Sequence, residues 1–268
     1  MSGRPSRLVL LGHPVAHSLS PAFQNAALRR AGIPLEYTAV DVPPERLDAV
    51  LDALAREGAA GNVTIPHKAR VAARCARLTP VAARVGAVNT FWSEAGALVG
   101  DNTDVGGFDA AVRELLGGAP RGARVALLGA GGAAAAVLAA AERWDAATVA
   151  VHSRSEASAA ALVRRFPAVA RVAPLAADAL AGATLVVNAT PVGMRDDDVP
   201  VEPDSLPRGA AVLDLVYRRS ETPWVRAARA RGHAARDGLS MLVEQGALAF
   251  ARWFGVEPDR EAMRAALS

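Results

Sequence analysis

Hydrophobic and polar positions follow two rhythms along this chain. Short unbroken apolar runs rich in Val and Leu alternate with longer stretches in which apolar residues return every three or four positions. The first pattern predicts buried strands and the second predicts helices with one apolar face. Residues 7–11 (RLVLL) predict a first strand, followed by the loop GHPVAHSLSP. Ser20 before Pro21 predicts a capped helix start, with a helix to about Arg30 that Gly32 stops. A second strand is expected over 35–40, then a helix from Pro43-Pro44-Glu45 to about Arg56. Residues 62–65 predict a third strand, ended by Pro66, which is expected to open the next helix. Segments 87–91 and 97–100 predict a hairpin turning at Glu94-Ala95-Gly96.

The second part is more regular. Strands are predicted at 124–128, 148–151, 185–188 and 211–215, with a weaker one around Ala234. Helices are predicted from the Gly-rich GAGGAAAA to about Glu142, over 156–165 and over the C-terminal stretches 239–254 and 261–267. Strands alternating with helices imply parallel βαβ units covered on both faces. The expected class is therefore α/β, with two domains. One comprises residues 1–103 with 239–268, whose C-terminal helices pack back on it, and the other is a doubly wound parallel sheet over 104–238.

Composition narrows the function classes. At 268 residues with 51% hydrophobic residues, the chain can bury a substantial core, and no apolar run is long enough to span a membrane. One cysteine, Cys75, excludes an intrachain disulfide and fits a reducing compartment, so a cytoplasmic location is expected. The net charge is +3 and the sequence pI about 9.7, but the arginines are scattered without a basic run or interleaved aromatics. No nucleic-acid partner and no membrane partner is expected. His13, His17, His67, His152 and His233 show no metal-ligand spacing, and Cys75 reads as a packing residue.

Three features carry candidate chemistry. Gly129-Ala130-Gly131-Gly132-Ala133-Ala134 matches G-x-G-x-x-A between a predicted strand and a predicted helix, the context a dinucleotide pyrophosphate needs. At the end of the next strand, where NAD binders place an acid, stand Ser153, Arg154 and Ser155. An arginine flanked by hydroxyls suits a 2′-phosphate and so NADP, with NAD also open. The polar loops Ser18-Leu19-Ser20, 62–68, 86–90 and 100–104 carry hydroxyls, amides, an amine and a carboxylate suited to a small oxygen-rich ligand. Lys68 is the only lysine among 30 basic residues. Unlike arginine, lysine can take part in proton transfer.

The strings GHPVAHSLSP, NVTIPHK, VGAVNT, GDNTD, GAGGAA, NATPVGM, DLVY and GLSMLVEQGALAF resemble, in order and across nearly the whole chain, those of the shikimate dehydrogenases. The resemblance implies an N-terminal substrate domain and a Rossmann-type NADP domain, catalysing the interconversion of 3-dehydroshikimate and shikimate in chorismate and aromatic amino-acid biosynthesis. It implies that Lys68 and Asp104 form the catalytic pair and that Ser18 and Ser20 bind the substrate carboxylate. Thr64, Asn89 and Gln245 would meet carboxylate or hydroxyl groups, and Tyr217 would lie on the substrate. Gly129, Ala130, Gly131, Gly132, Ala133, Ser153, Arg154, Ser155, Leu215, Gly238 and Met241 would line the cofactor. The same motifs leave open a quinate or aminoshikimate dehydrogenase, and either a monomer or a homodimer. A second basic residue common in the family is replaced by Ser158. A ligand-sensing protein on this fold would not be expected to keep both Lys68 and Asp104. The serine pair and the NTD string argue against a methylenetetrahydrofolate dehydrogenase.

Overall fold

The computed structural model describes residues 4–145, 147–218 and 220–267. Two compact units divide the chain, 1–107 with 242–268 and 108–241. The sequence places the two passages between units at the starts of helices, at Asp104 and Leu239. The units part about one helical turn further along each.

The chain begins with β1 (Leu8–Gly12), α1 (Ser20–Arg30), β2 (Tyr37–Asp41), a 3₁₀ turn at Pro44–Arg46 and α2 (Leu47–Glu57). It continues with β3 (Ala60–Val63), α3 (Lys68–Arg74), β4 (Arg77–Leu78), α4 (Pro80–Val85), β5 (Thr90–Glu94), β6 (Ala97–Asp101) and α5 (Asp104–Leu116). The first sheet has the order β2-β1-β3-β5-β6-β4. β1 pairs in parallel with β2 and β3, while β5 runs antiparallel to β3 and β6. Every residue of β1 is buried, as the unbroken run LVLLG requires of a strand covered on both faces. On one face Leu47, Leu51 and Leu54 of α2 join Val9, Leu11, Val63 and Phe91 in a single core.

The second unit holds β7 (Arg124–Leu128), α6 (Gly132–Ala141), β8 (Thr148–His152), α7 (Glu156–Arg165), β9 (Ala170–Ala173), β10 (Leu185–Asn188), β11 (Ala211–Asp214), α8 (Pro223–Ala230) and β12 (Ala235–Arg236). The sheet order is β12-β11-β10-β7-β8-β9, every pair parallel. This is the doubly wound arrangement expected, with the strand order reversing between β7 and β10. Eight successive residues of α6, Ala134 to Ala141, are buried. A helix apolar all round has no solvent face to lose, and alanine lets it approach the sheet closely. Trp224, Val225 and Ala228 of α8 fill the core against Ala126, Val186 and Val212.

α9 (Leu239–Phe254) and α10 (Arg260–Ala265) complete the chain. From 242 onward they belong to the first unit, where the Trp253 ring stacks on Tyr37 at 6.0 Å and its indole N–H donates to Thr90 Oγ1 at 3.1 Å.

Local differences from the sequence reading have physical causes. Ser20 is the first residue of α1 rather than its cap, and its N–H donates to Ser18 Oγ at 3.2 Å. Pro66 does not open α3. The His67 N–H donates to Thr64 O at 3.0 Å, closing a turn over the proline, and the helix starts at Lys68. α5 escapes notice because Gly106 and Gly107 depress helix propensity. A Cβ on Gly106 would come within 2.6 Å of Leu248 Cδ1, so the glycine admits that side chain. α4 and α8 share one start signal that the sequence reading passed over, a threonine before a proline. Thr79 accepts from the Ala82 N–H at 3.2 Å and Thr222 from the Val225 N–H at 3.4 Å. β9 is a half-exposed edge strand without apolar alternation, and β4 has only two residues.

Candidate active site

Strand direction gathers the polar loops of the first unit. The carboxyl ends of parallel β1 and β3, the amino end of antiparallel β5 and the carboxyl end of β6 share one sheet edge, with Asn62 opposite Thr90 and Thr90 opposite Asp101. The loops after residues 12, 63 and 101 and before residue 90 therefore open on the same side, where α/β sheets hold their ligands.

At this edge Lys68 Nζ donates to Asp104 Oδ2 at 2.6 Å, and Asn89 Nδ2 donates to Asp104 Oδ1 at 2.8 Å. Both carboxylate oxygens are thereby aimed. Asp104 keeps only 11% of its side chain exposed and Lys68 25%, so the pair is sheltered yet reachable. Asn89 is itself held on all sides. Its Oδ1 accepts from the Thr103 N–H at 2.7 Å, which turns Nδ2 toward Asp104 and toward Gln245 Oε1 at 3.1 Å. Gln245 in turn donates to Leu242 O at 2.8 Å. Behind Asn89, its carbonyl accepts from Asn62 Nδ2 at 3.1 Å, and Tyr37 donates to Asn62 Oδ1 at 2.8 Å. Lys68, Asn89, Asp104 and Gln245, from four separate segments, thus form one bonded cluster.

Thr64 and Ser18 lie on the neighbouring loops, both half-buried. A Cβ on Gly12 would fall 2.5 Å from Thr64 Cγ2, so the absence of that carbon lets Thr64 lie against the start of the serine loop. Ser18 Oγ accepts from the Ser20 N–H, and Ser20 is buried in the first turn of α1. Asp101, 2% exposed, anchors the approach to Asp104. It accepts from Thr79, from the Asn102 N–H at 2.7 Å and from Arg252 Nε at 2.9 Å on α9. The remaining candidates read as structural. His67 is buried with Nε2 on Val42 O at 2.7 Å, and His13 pairs with Asp41 at 3.1 Å on the surface. Burial pushes the Cys75 thiol up to about 11, which suppresses the thiolate. Among the described residues no group of three or more His, Cys, Asp or Glu side chains is placed to hold a metal ion.

In the second unit the parallel strands deliver the cofactor candidates to one edge. Gly129 has φ +109°, and a Cβ there would lie 2.9 Å from Ala189 O, so only glycine lets the β7 loop pass the β10 loop. Gly131 and Gly132 would meet nothing within 4 Å at the start of α6, leaving backbone N–H groups accessible to phosphate, with Ala130 and Ala133 half-buried beside them. Ser155 caps α7 through the Ser158 N–H at 3.2 Å, and Ser153 Oγ accepts from the Ser155 N–H at 3.2 Å. Between them Arg154 is exposed, with no hydrogen bond or ion pair among the described residues. Leu215 follows β11, and a Cβ on Gly238 would fall 2.4 Å from Leu215 O. Tyr217 and Met241 are half-buried in the same unit. A glycine cradle, a free helix start and an unpaired guanidinium between serines fit a phosphorylated dinucleotide.

Sequence reasoning missed a buried polar cluster behind this edge. Asn188 donates to Asp214 Oδ1 at 2.8 Å, and Thr222 donates to Asp214 Oδ2 at 2.8 Å. The available signal was an amide and an acid each closing an apolar strand, LVVN and AVLD.

Two family models match the chain, the shikimate dehydrogenase substrate binding domain over residues 10–91 and the shikimate 5′-dehydrogenase C-terminal domain over 238–267. A shikimate dehydrogenase (NADP(+)) of Rubrobacter xylanophilus is 45% identical, covering 100% of this chain and 97% of its own. A crystal structure of shikimate 5-dehydrogenase from Thermus thermophilus, in complex with NADP(H) and shikimate, is 40% identical. It superposes with a TM-score of 0.89 over 97% of this chain and 98% of its own. Quinate dehydrogenase from Corynebacterium glutamicum in complex with NAD, at 31% identity, also gives 0.89, covering 97% of each chain. The chain belongs to the shikimate dehydrogenase family.

Proposed function

We propose that this protein is an NADP-dependent oxidoreductase interconverting 3-dehydroshikimate and shikimate, a step of aromatic amino-acid biosynthesis. The observation that carries the reading is the sheltered Lys68–Asp104 pair, clamped by Asn89 at the ligand edge of the first sheet. The relatives' names supply the substrate and the cofactor.

When bound, the nicotinamide cofactor supplies the hydride exchange. The Gly129–Ala133 turn would hold its pyrophosphate, and Ser153, Arg154 and Ser155 its 2′-phosphate. Leu215, Gly238 and Met241 would line the remainder. The chain's own part is proton handling and grip. In the oxidising direction the substrate C–O becomes a carbonyl, and the Lys68–Asp104 pair takes the hydroxyl proton. In the reducing direction the pair hydrogen-bonds the oxygen on which negative charge develops and returns the proton to it. Which member holds the proton between steps is a property of the coupled pair. Asn89 aims the carboxylate, and Gln245 completes the wall. Ser18 and Ser20 would bind the substrate carboxylate with Thr64, and Tyr217 would lie on the ring.

A second reading, a quinate dehydrogenase using NAD, is favoured by one observation. Ser158, which hydrogen-bonds Ser155 at 2.9 Å, stands where the family often carries a second basic residue after Arg154. Initial rates with shikimate or quinate and NADP or NAD separate the two. The highest kcat/KM is expected for shikimate with NADP, and preference for quinate with NAD would replace the first reading by the second.

A further inference from the structure

Outside the catalytic cluster, the second unit holds a buried carboxylate, Asp214, with both oxygens hydrogen-bonded. Asp214 is 1% exposed, Asn188 0% and Thr222 0%. Asp214 closes β11 opposite Asn188, which closes β10. Its Oδ1 accepts from Asn188 Nδ2 at 2.8 Å and from the Val216 N–H at 3.1 Å, while its Oδ2 accepts from the Thr222 hydroxyl at 2.8 Å. Thr222 is also the cap of α8.

Through these partners the carboxylate sets two loops. Asn188 Oδ1 accepts from the Thr190 N–H at 2.9 Å and from its hydroxyl at 2.6 Å, and Nδ2 reaches Val192 O at 3.3 Å. This folds the chain after β10 into the turn whose Ala189 carbonyl approaches Gly129. The Leu215 N–H donates to Asn188 O at 2.9 Å, and the Gly238 N–H donates to Val216 O at 3.0 Å. The turns at 129–133, 189–192, 215–217 and 238 are thus linked to one buried acid.

We infer that Asp214 is a positioning residue that shapes the dinucleotide floor of the second unit by holding the loops after β10 and β11 through Asn188, Val216 and Thr222. The inference rests on the functional reading above, since it presumes that this edge receives a dinucleotide. Burial raises the Asp214 carboxyl to about 6, so the fold keeps at this place an acid that desolvation penalises. Placing a carboxylate there is understandable when an acceptor for several donors is required, which an apolar residue cannot supply.

Calorimetric titration with NADP tests the inference on the whole protein, alongside KM for NADP and for shikimate. Asp214→Asn removes one acceptor site while preserving shape. Its Kd for NADP is expected to rise about tenfold, the usual consequence of losing a positioning hydrogen bond or two. KM for shikimate should rise less than KM for NADP, since of the turns held by Asp214 only 215–217 carries a proposed substrate residue, Tyr217. Thr222→Val should shift the NADP Kd in the same direction and Thr222→Ser should restore it, and this series reports even where Asp214→Asn fails to fold. An unchanged NADP Kd in a cooperatively melting variant overturns the inference, as does an equal change in both KM values. Failure of the functional reading shows separately, as a wild type that does not bind NADP at all.

Discussion

Lys68 is the residue at which chemistry and charge part company. Among the 30 lysine and arginine positions every other one is arginine, which cannot lose a proton near neutral pH, and Lys68 stands 2.6 Å from a buried carboxylate that an amide also holds. Substituting Lys68→Arg or Lys68→Ala is expected to lower kcat by about 10²–10⁴-fold, the range for a lost acid–base group. Calorimetric affinity for shikimate should change far less, and near-normal turnover in Lys68→Arg would remove the proton-transfer role. Arg154→Ala is expected to raise KM for NADP about tenfold while leaving KM for NAD nearly unchanged, because only the 2′-phosphate needs the guanidinium. Equal effects on both nicotinamides would reassign Arg154 to the surface. At this scale the sequence was informative about side-chain identity. It could not show that Asn89 grips Asp104 rather than facing outward, since that bond joins residues fifteen apart across two strand ends.

Elements show where the hydrophobic pattern carries information and where it fails. Strands buried on both faces, such as β7 and β10, and long helices such as α9, emerge from the apolar rhythm because burial itself writes it. α5 with its paired glycines and the half-exposed β9 leave no such trace, since packing rather than propensity holds them. The glycine turn after β7 belongs to this scale too. Gly129→Ala places a Cβ in a left-handed backbone and 2.9 Å from Ala189 O. A stability loss of about 1–3 kcal/mol is expected, together with weaker dinucleotide binding. Denaturant midpoints and NADP titration check it, and an unchanged midpoint would show that the β10 loop yields readily.

Stability of the whole molecule carries a pH signature from Asp214. Its folded value of about 6 lies above the ordinary 3.8, so the folded state binds the extra proton and stability on this account falls as pH rises from about 4 to 6, then levels off. Asp237, itself raised by burial, adds a smaller Coulombic repulsion in the same direction. Exposed acids paired with arginine, such as Asp48 and Asp204, are lowered and act in the opposite direction, losing their contribution as pH falls. The difference between wild type and Asp214→Asn therefore isolates the buried acid. Urea midpoints at pH 4.5 and 7 should show the variant gaining about 1–3 kcal/mol relative to wild type at the higher pH, and a pH-independent difference would refute the titration. By itself the sequence determined the α/β class, most of the strands, the glycine turn and the identity of the reactive side chains, because these are written in local periodicity and residue chemistry. Only the tertiary structure decided that antiparallel β5 brings Asn89 to the edge formed by β1 and β3, that Asn89 grips the Asp104 carboxylate, and that Asp214 joins Asn188 and Thr222. Those contacts depend on strand order and direction, which pairing between distant segments sets and no local pattern records.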